Sequence, residues 1–307
     1  MTEQFLTALL LGAVVAGVPL LLAGLGEQIS EKAGVLNIGI EGMMLCGAYG
    51  GFVAAYYTES YWLGFLAGGL SGMAVALLMA ILCVYLAMNQ IVIGIGLTLG
   101  AEGLTALLHH FQFSRTYPRL GETPTLPIPI LSELPVVGRV LFDHHPVVYL
   151  TVILMFALIW VFKRTSVGLN LQAAGDKPAA LDAAGVSVRL TRACAVLTTG
   201  FLAGIGGAYM ANVGAGIFVP FMIHGGGFIA IVLAMLARGK PIWVGFGALL
   251  FGLSLALTTA LQVAGLNIPT DVVQMLPFGM VIVVLIIFAR HSYLPPSLGL
   301  PYLRGQR

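Results

Sequence analysis

Long apolar runs joined by short polar segments are the feature that most limits what this chain can fold into. An α-helix needs about 20 apolar residues to cross roughly 30 Å of hydrocarbon, and several runs have that length. Only 8% of the 307 residues are charged, against about 25% in soluble domains. The runs are continuous rather than alternating, which argues against a β-barrel. The sequence therefore predicts an all-α polytopic integral membrane protein, with one transmembrane domain over residues 1–307.

The positions of the runs predict eight to ten membrane crossings. The run at 225–237 is too short to cross at full thickness, so we expect a tilted, re-entrant or broken helix there. The segments are expected near residues 4–25, 35–57, 62–88, 89–111, 146–162, 192–215, 225–237, 241–263 and 271–290.

Basic residues predict the orientation of the chain. Lys and Arg side chains are concentrated between Lys163 and Arg192, and the positive-inside rule places the loop at about 163–191 in the cytoplasm. Counting spans back from that loop puts the proline-rich loop at about 112–145 outside. The same count puts the N-terminus outside.

Composition and motifs exclude several classes of function. A formal charge of +2 is too small to indicate a nucleic-acid partner. Cys46, Cys83 and Cys194 lack CxxC spacing, so we interpret them as small apolar residues rather than as disulfide or metal ligands. HExxH, GxSxG and the phosphate-binding GxxxxGKS/T pattern are all missing from the sequence. We therefore expect no enzyme activity, metal or cofactor in this chain. We expect membrane lipid to surround it.

Polar residues interrupt the apolar pattern at the second predicted span. Asn37 and Glu41 are four residues apart, so a helix would place them on one face. Polar groups in an apolar span are costly unless they have a partner or face a water-filled path. They are therefore candidates for a substrate path, although a structural hydrogen bond between helices explains them equally well. Met43 and Met44 would supply an adaptable apolar wall to such a path.

A second interruption lies in the predicted cytoplasmic loop. After a turn predicted at Gly175 and Asp176, Pro178 suits the first position of a helix, and Gly185 would end that helix. A short surface helix is typical of an element that couples to a partner, although such helices also occur without one.

Four stretches of the sequence resemble a known family. They read GEQISEKAGVLNIGIEGMMLCGAYGG, AAGDKPAALDAAGVSV, GGFIAIVLAMLARGKPIWVGFGALLFG and PPSLGLPYLRGQR. They are similar to inner-membrane permeases of bacterial ABC importers of type II, a group that includes sugar, nucleoside and branched-chain amino acid permeases. The stretch from Asn37 to Gly42 is closer to the nucleoside and sugar branch. Gln172 departs from the pattern, since an Arg is common there.

The resemblance implies a division of labour. The chain would translocate a nucleoside or simple sugar by alternating access in the bacterial inner membrane, beside a second homologous permease subunit. A cytoplasmic ABC ATPase would bind ATP and magnesium, and a periplasmic or lipoprotein binding protein would deliver the solute. The ATPase contact is predicted at Gly175, Asp176, Lys177, Pro178, Ala179 and Ala180, and the substrate path at Asn37, Glu41, Met43, Met44 and Glu102.

Other functions are compatible with the same sequence. An ion-gradient-driven secondary transporter would need broken helices and would work without an ATPase. The echo between Gly47-Ala-Tyr49 and Gly207-Ala-Tyr209 could mark an internal repeat, but it does not separate the two classes. A branched-chain amino acid permease of the ABC type is a further alternative. His109 and His110, near the outer end of the fourth span, are interpreted as interfacial rather than as a proton relay.

Overall fold

The computed structural model describes residues 2–129, 131–132, 137–263, 275–288 and 294–303, and α-helices dominate it. The first half comprises α1 (Thr2–Lys32), α2 (Ile40–Thr58), α3 (Tyr61–Met79) with a π-helical turn (Ala80–Tyr85), α4 (Gln90–Phe113), β1 (Leu126–Pro127), α5 (Val137–Phe142) and β2 (Asp143–His144). The second half comprises α6 (Pro146–Arg164), α7 (Ser166–Asp176), α8 (Pro178–Ala183), α9 (Val188–Tyr209) with a π-helical turn (Met210–Ala215), α10 (Gly226–Leu236), α11 (Pro241–Val263) and α12 (Leu276–Phe288).

The helices confirm the predicted all-α membrane fold. Among the described residues, six helices are long and apolar enough to span a bilayer, and α10 and α12 are shorter apolar helices. The 19 residues of α2 cover about 28 Å at 1.5 Å per residue, although glycines, tyrosines and Glu41 lower its hydropathy. The predicted end of the first span near residue 25 is wrong, because α1 continues to Lys32. Residues 271–274 and 289–290 of the predicted last span lie outside the described residues.

Glycines allow α2, α3 and α9 to pack closely. A side chain added at Gly207 of α9 would meet the Met44 carbonyl of α2, and one at Gly47 would meet the backbone of Gly204. Gly72 of α3 faces α9 in the same way. Small residues let helix backbones approach in lipid, where van der Waals packing replaces the hydrophobic effect as the driving force for association. The three helices therefore form a closely packed group within the bundle.

The predicted external loop contains short structural elements. β1 pairs with β2 in antiparallel register, Leu126 opposite His144 and Pro127 opposite Asp143. The loop also attaches to the membrane helices, because the Leu120 N–H donates to the Gly216 carbonyl at 2.9 Å. The stretch before β1 is thereby fixed to the link between α9 and α10.

The ends of α1, α6, α7 and α10 lie together at one end of the bundle, which we call the basic end. Lys32 Nζ lies 5.0 Å from the centre of the Phe162 ring and 3.1 Å from the position of a Cβ on Gly239. Gly34 packs against Gly175 of α7. The loop predicted to be cytoplasmic, at about 163–191, therefore shares one end of the bundle with the end of α1 and the end of α10, while the side of the membrane stays a prediction.

Candidate translocation site

Two interrupted stretches of chain meet inside the bundle, and the first is the α1–α2 connection, residues 33–39. Gly34 has a positive φ of 85° and turns the chain back beside α1. Residues 35–37 have no helical structure, and α2 begins only at Ile40. The prediction that Asn37 and Glu41 share a helix face is therefore wrong. The backbone N–H of Asn37 donates instead to Glu27 Oε1, at 3.1 Å.

Buried side chains hold this connection in place. Gln90, at the start of α4, accepts from the Leu36 N–H at 2.8 Å through Oε1. Asn37 Nδ2 lies 3.3 Å from Met43 Sδ, so two of the predicted path residues do contact each other. Glu27, Gln90 and Asn37 are almost fully buried. Sequence reasoning missed Glu27 and Gln90, although a glutamate just after an apolar run was a signal that the run could extend.

The second interruption is the link between α9 and α10, residues 216–225. It has turns in place of a helix, with positive φ at Gly216, Phe221, His224 and Gly225. The 11 residues of α10 that follow cover about 16 Å at 1.5 Å per residue, roughly half of the hydrocarbon thickness. The predicted short or broken helix at 225–237 is thus confirmed as a half-length helix that begins inside the bundle and ends at the basic end.

Glu41 joins the two interruptions. Its Oε1 accepts from the Gly225 N–H at 2.8 Å and its Oε2 from the Gly227 N–H at 2.6 Å, and the Phe228 N–H also contributes. Gly227 lies so close that an added Cβ would stand 2.6 Å from Glu41 Cα. The first N–H groups of a helix have no partner within it and carry a partial positive charge. Glu41 therefore acts as an N-terminal cap, supplied by α2, for α10.

A large cavity of about 1110 Å³ lies beside this junction. Helices α1, α11 and α12, the π-helical turn after α9 and the α9–α10 link form its walls. Its polar lining comprises His224, Thr258, Thr259 and Gln262, and no Asp, Glu, Lys or Arg of the described chain lines it. Met44 is the member of the predicted path that lines this cavity.

The other predicted path residues lie away from the cavity wall. Asn37, Glu41 and Met43 are buried and do not line it, and Glu102 is half-buried on α4. A role for these four in the path stays a prediction. The cavity-lining His224 and the π-helical turn were not foreseen, since a departure from α-helical geometry leaves no clear trace in composition.

An aromatic cluster closes the end of the bundle opposite the basic end. The His109 ring lies 5.1 Å from Tyr117, 5.4 Å from Phe113 and 5.7 Å from Phe218, centre to centre. His109 is 2% exposed because these rings cover it, and its predicted interfacial depth in the membrane stays a prediction. His110 is exposed, as an interfacial residue would be.

Helices α7 and α8 form an angled pair at the basic end. The turn predicted at Gly175 and Asp176 is wrong, because both lie in α7 and the break falls at Lys177. Pro178 does begin α8, and Gly185 follows its end with a φ of 83°. Lys177, Ala179 and Ala180 are exposed, whereas Gly175 is buried against the α1–α2 connection. An exposed start of α8, held by the buried end of α7, suits contact with a partner.

The fold and the junction together define a class of protein, a multi-span membrane protein with a half-length helix that begins beside a cavity, an arrangement found in transporters. Its sequence matches the family described as "Branched-chain amino acid transport system / permease component" over residues 9–285. This match covers most of the chain, which therefore belongs to this family of ABC transporter permeases.

Relatives with curated names indicate which solutes similar permeases are named for. TsgC13 of Haloferax volcanii, an ABC transporter permease provisionally named for glucose, is 42% identical and matches 81% of this chain and 76% of its own. The nucleoside ABC transporter permease NupC of Lactococcus lactis is 32% identical over 94% of each chain. The guanosine ABC transporter permease NupQ of Bacillus subtilis is 29% identical over 99% of each chain. The chain thus resembles permeases named for sugars and nucleosides over nearly its whole length.

Proposed function

We propose that this chain forms one half of an ATP-driven import path for a neutral, hydroxyl-bearing solute, a nucleoside or a simple sugar. The observation that carries the proposal is the capping of α10 by Glu41. In transporters, the positive N-terminus of a half-helix often binds an anionic group of the substrate. Here a carboxylate of the chain already occupies that N-terminus. An amino acid or a phosphorylated solute would lose that attraction, whereas a neutral solute does not need it.

The cavity supports the same solute class. Its lining is mostly apolar, with an imidazole, two hydroxyls and an amide among the described residues. These groups exchange hydrogen bonds with the hydroxyls of a sugar or nucleoside, and they carry no fixed counter-charge for an ion. The names of NupC, NupQ and TsgC13 agree with that class. The wall that includes Met44, with Asn37, Glu41, Met43 and Glu102 close to the junction, is our candidate for the chain's side of the path.

The energy would come from partner subunits. A cytoplasmic ABC ATPase would bind ATP and magnesium and contact the exposed residues of α7 and α8. A second homologous permease would complete the path, and a periplasmic or lipoprotein binding protein would present the solute. The basic end then faces the cytoplasm of a bacterial cell, with the chain in its inner membrane.

A panel of labelled solutes tests the proposed class. Cells that express this chain with its partners should take up one or more nucleosides or neutral sugars. Excess unlabelled neutral solute should compete, while nucleotides and branched-chain amino acids should not. Competition by an amino acid or a nucleotide alone would overturn the proposal, because the capped α10 offers no free positive end for such a solute.

The ATPase contact gives a separate prediction. Ala180 is exposed on α8, and Ala180→Arg adds bulk and charge where a partner groove would close around it. We expect co-purification of the ATPase to fall by about tenfold, as for loss of a central contact. Gly121→Arg is the matched control, because it adds the same side chain at an exposed position with open space around its Cβ, in the loop predicted to be external and away from α7 and α8. Equal recovery of the ATPase with both variants would place the contact elsewhere.

A further inference from the structure

Residues 294–300 lie between α7 and the α1–α2 connection. We call residues 294–300 the C-terminal strap. The Ser297 N–H donates to the Gly175 carbonyl of α7 at 3.0 Å, and the Gly299 N–H donates to the Gly34 carbonyl at 3.2 Å. An added Cβ on Gly175 would stand 3.0 Å from Pro295 Cβ. The strap is thus hydrogen-bonded both to α7, near its C-terminal end, and to the start of the α1–α2 connection.

The Arg192 side chain hydrogen-bonds to the same three segments. Its Nε donates to the Ala33 carbonyl at 3.0 Å, its Nη2 to the Ala174 carbonyl at 3.1 Å and its Nη1 to the Leu300 carbonyl at 2.8 Å. Each acceptor belongs to a different segment: the α1–α2 connection, α7 and the strap. The side chain is 2% exposed. A buried guanidinium is costly unless its donors are satisfied. Its planar fork spreads donors over three nitrogens that face separate acceptors, whereas the three donors of a lysine sit on one nitrogen.

The connection held by Arg192 leads directly to the candidate site. From Ala33 the chain passes beside Glu27 and Gln90 and enters α2, whose first turn carries Glu41. Glu41 then holds the first N–H groups of α10 beside the cavity. Backbone and hydrogen bonds therefore connect the base of α7 with the start of α10 without a gap.

We propose that Arg192 is a positioning residue that, with the C-terminal strap, makes α7, α8 and the α1–α2 connection move as one body. A displacement of α8 by the ATPase then shifts the connection, and through Glu41 the start of α10. Without Arg192 the strap's two backbone hydrogen bonds still join α7 to the connection, but the direct side-chain bonds are lost, so α7 and α8 can move with a smaller movement of the connection. This inference rests on the proposed function, since it assumes an ATPase at α7 and α8.

The test is the number of solute molecules transported per ATP hydrolysed by the purified complex in proteoliposomes. A purely structural defect lowers the amount of active complex and leaves this ratio unchanged, whereas loss of coupling lowers the ratio itself. For Arg192→Gln we expect the ATPase to stay bound and the ratio to fall by about fivefold or more, within the range seen when coupling residues are changed. Arg192→Lys should lower the ratio as well, because it keeps the charge and loses the fork.

Arg189→Gln is the matched control. Arg189 lies one turn earlier on α9 and is exposed. The variant loses the same positive charge, so its number of solute molecules transported per ATP should match that of the wild type. A ratio for Arg192→Gln within about twofold of the wild type would overturn the inference. Absence of ATP-dependent transport in the wild-type complex would instead overturn the proposed function.

A second variant decides the matter if Arg192→Gln does not accumulate. Gly299 has a φ of 76° and open space around its Cβ position, so Gly299→Ala strains the strap backbone without a collision. We expect a ratio lowered by about twofold or more. An unchanged ratio in that variant would show that the strap does not transmit movement.

Discussion

Gly207→Ala is expected to remove most of the folded protein from the membrane. The new Cβ would collide with the Met44 carbonyl, a backbone atom at the crossing of α2 and α9. A backbone atom cannot rotate away, so the two helices must separate and the neighbouring contact between Gly47 and Gly204 would open as well. Close approach is what holds such helices together in lipid. Folded, detergent-extractable protein, measured by size-exclusion fluorescence, should fall by about tenfold, as for an overpacked core position.

Gly103→Ala serves as the control for this effect. Gly103 lies on α4 with open space at its Cβ position, and alanine favours a helix over glycine. Its yield should equal or exceed that of the wild type. Normal yield of Gly207→Ala would show that α2 and α9 are farther apart than the structure places them.

Glu41→Ala is expected to abolish most transport while leaving the bundle assembled. The change leaves the buried N–H groups of Gly225 and Gly227 without acceptors and removes the charge that balances the α10 N-terminus. Each lost hydrogen bond to a charged group costs about 1.5–3 kcal/mol, so the start of α10 should unwind or shift toward the cavity. We expect the transport rate per folded molecule to fall by about tenfold or more, which corresponds to about 1.4 kcal/mol.

Two further substitutions define the cause of that loss. Glu41→Gln keeps an acceptor oxygen and should retain an intermediate rate, because only part of the capping is lost. Glu122→Ala removes a carboxylate from the exposed loop predicted to be external and should have no effect on the rate. A full rate for Glu41→Ala would show that the cap does not shape the path.

Sequence patterns predicted the fold because membrane spans depend mainly on length and apolarity. The half-length α10 could be anticipated for the same reason, since the run before Arg238 was simply too short. The helix start at Pro178 and its stop before Gly185 also follow from local rules that need no tertiary context.

The site was predicted in part, because its residues are united only by tertiary structure. Asn37 and Glu41 stood out as polar residues in an apolar run, but their partners are 10 and about 185 residues away along the chain. Helical spacing wrongly placed Asn37 on α2, since Gly34 and the Glu27 carboxylate favour a non-helical backbone there. Arg192 looked like one more charge of a basic loop, and its burial depends on three distant carbonyls.

Solute uptake by proteoliposomes that contain this chain, its partner permease and the ATPase tests directly the claim that ATP drives transport through this chain. We predict uptake of a labelled nucleoside or neutral sugar that requires ATP on the ATPase side and continues when proton and sodium gradients are dissipated. Uptake that persists without ATP or without the ATPase, and stops when an ion gradient is removed, would contradict the claim and show that the chain works as a secondary transporter.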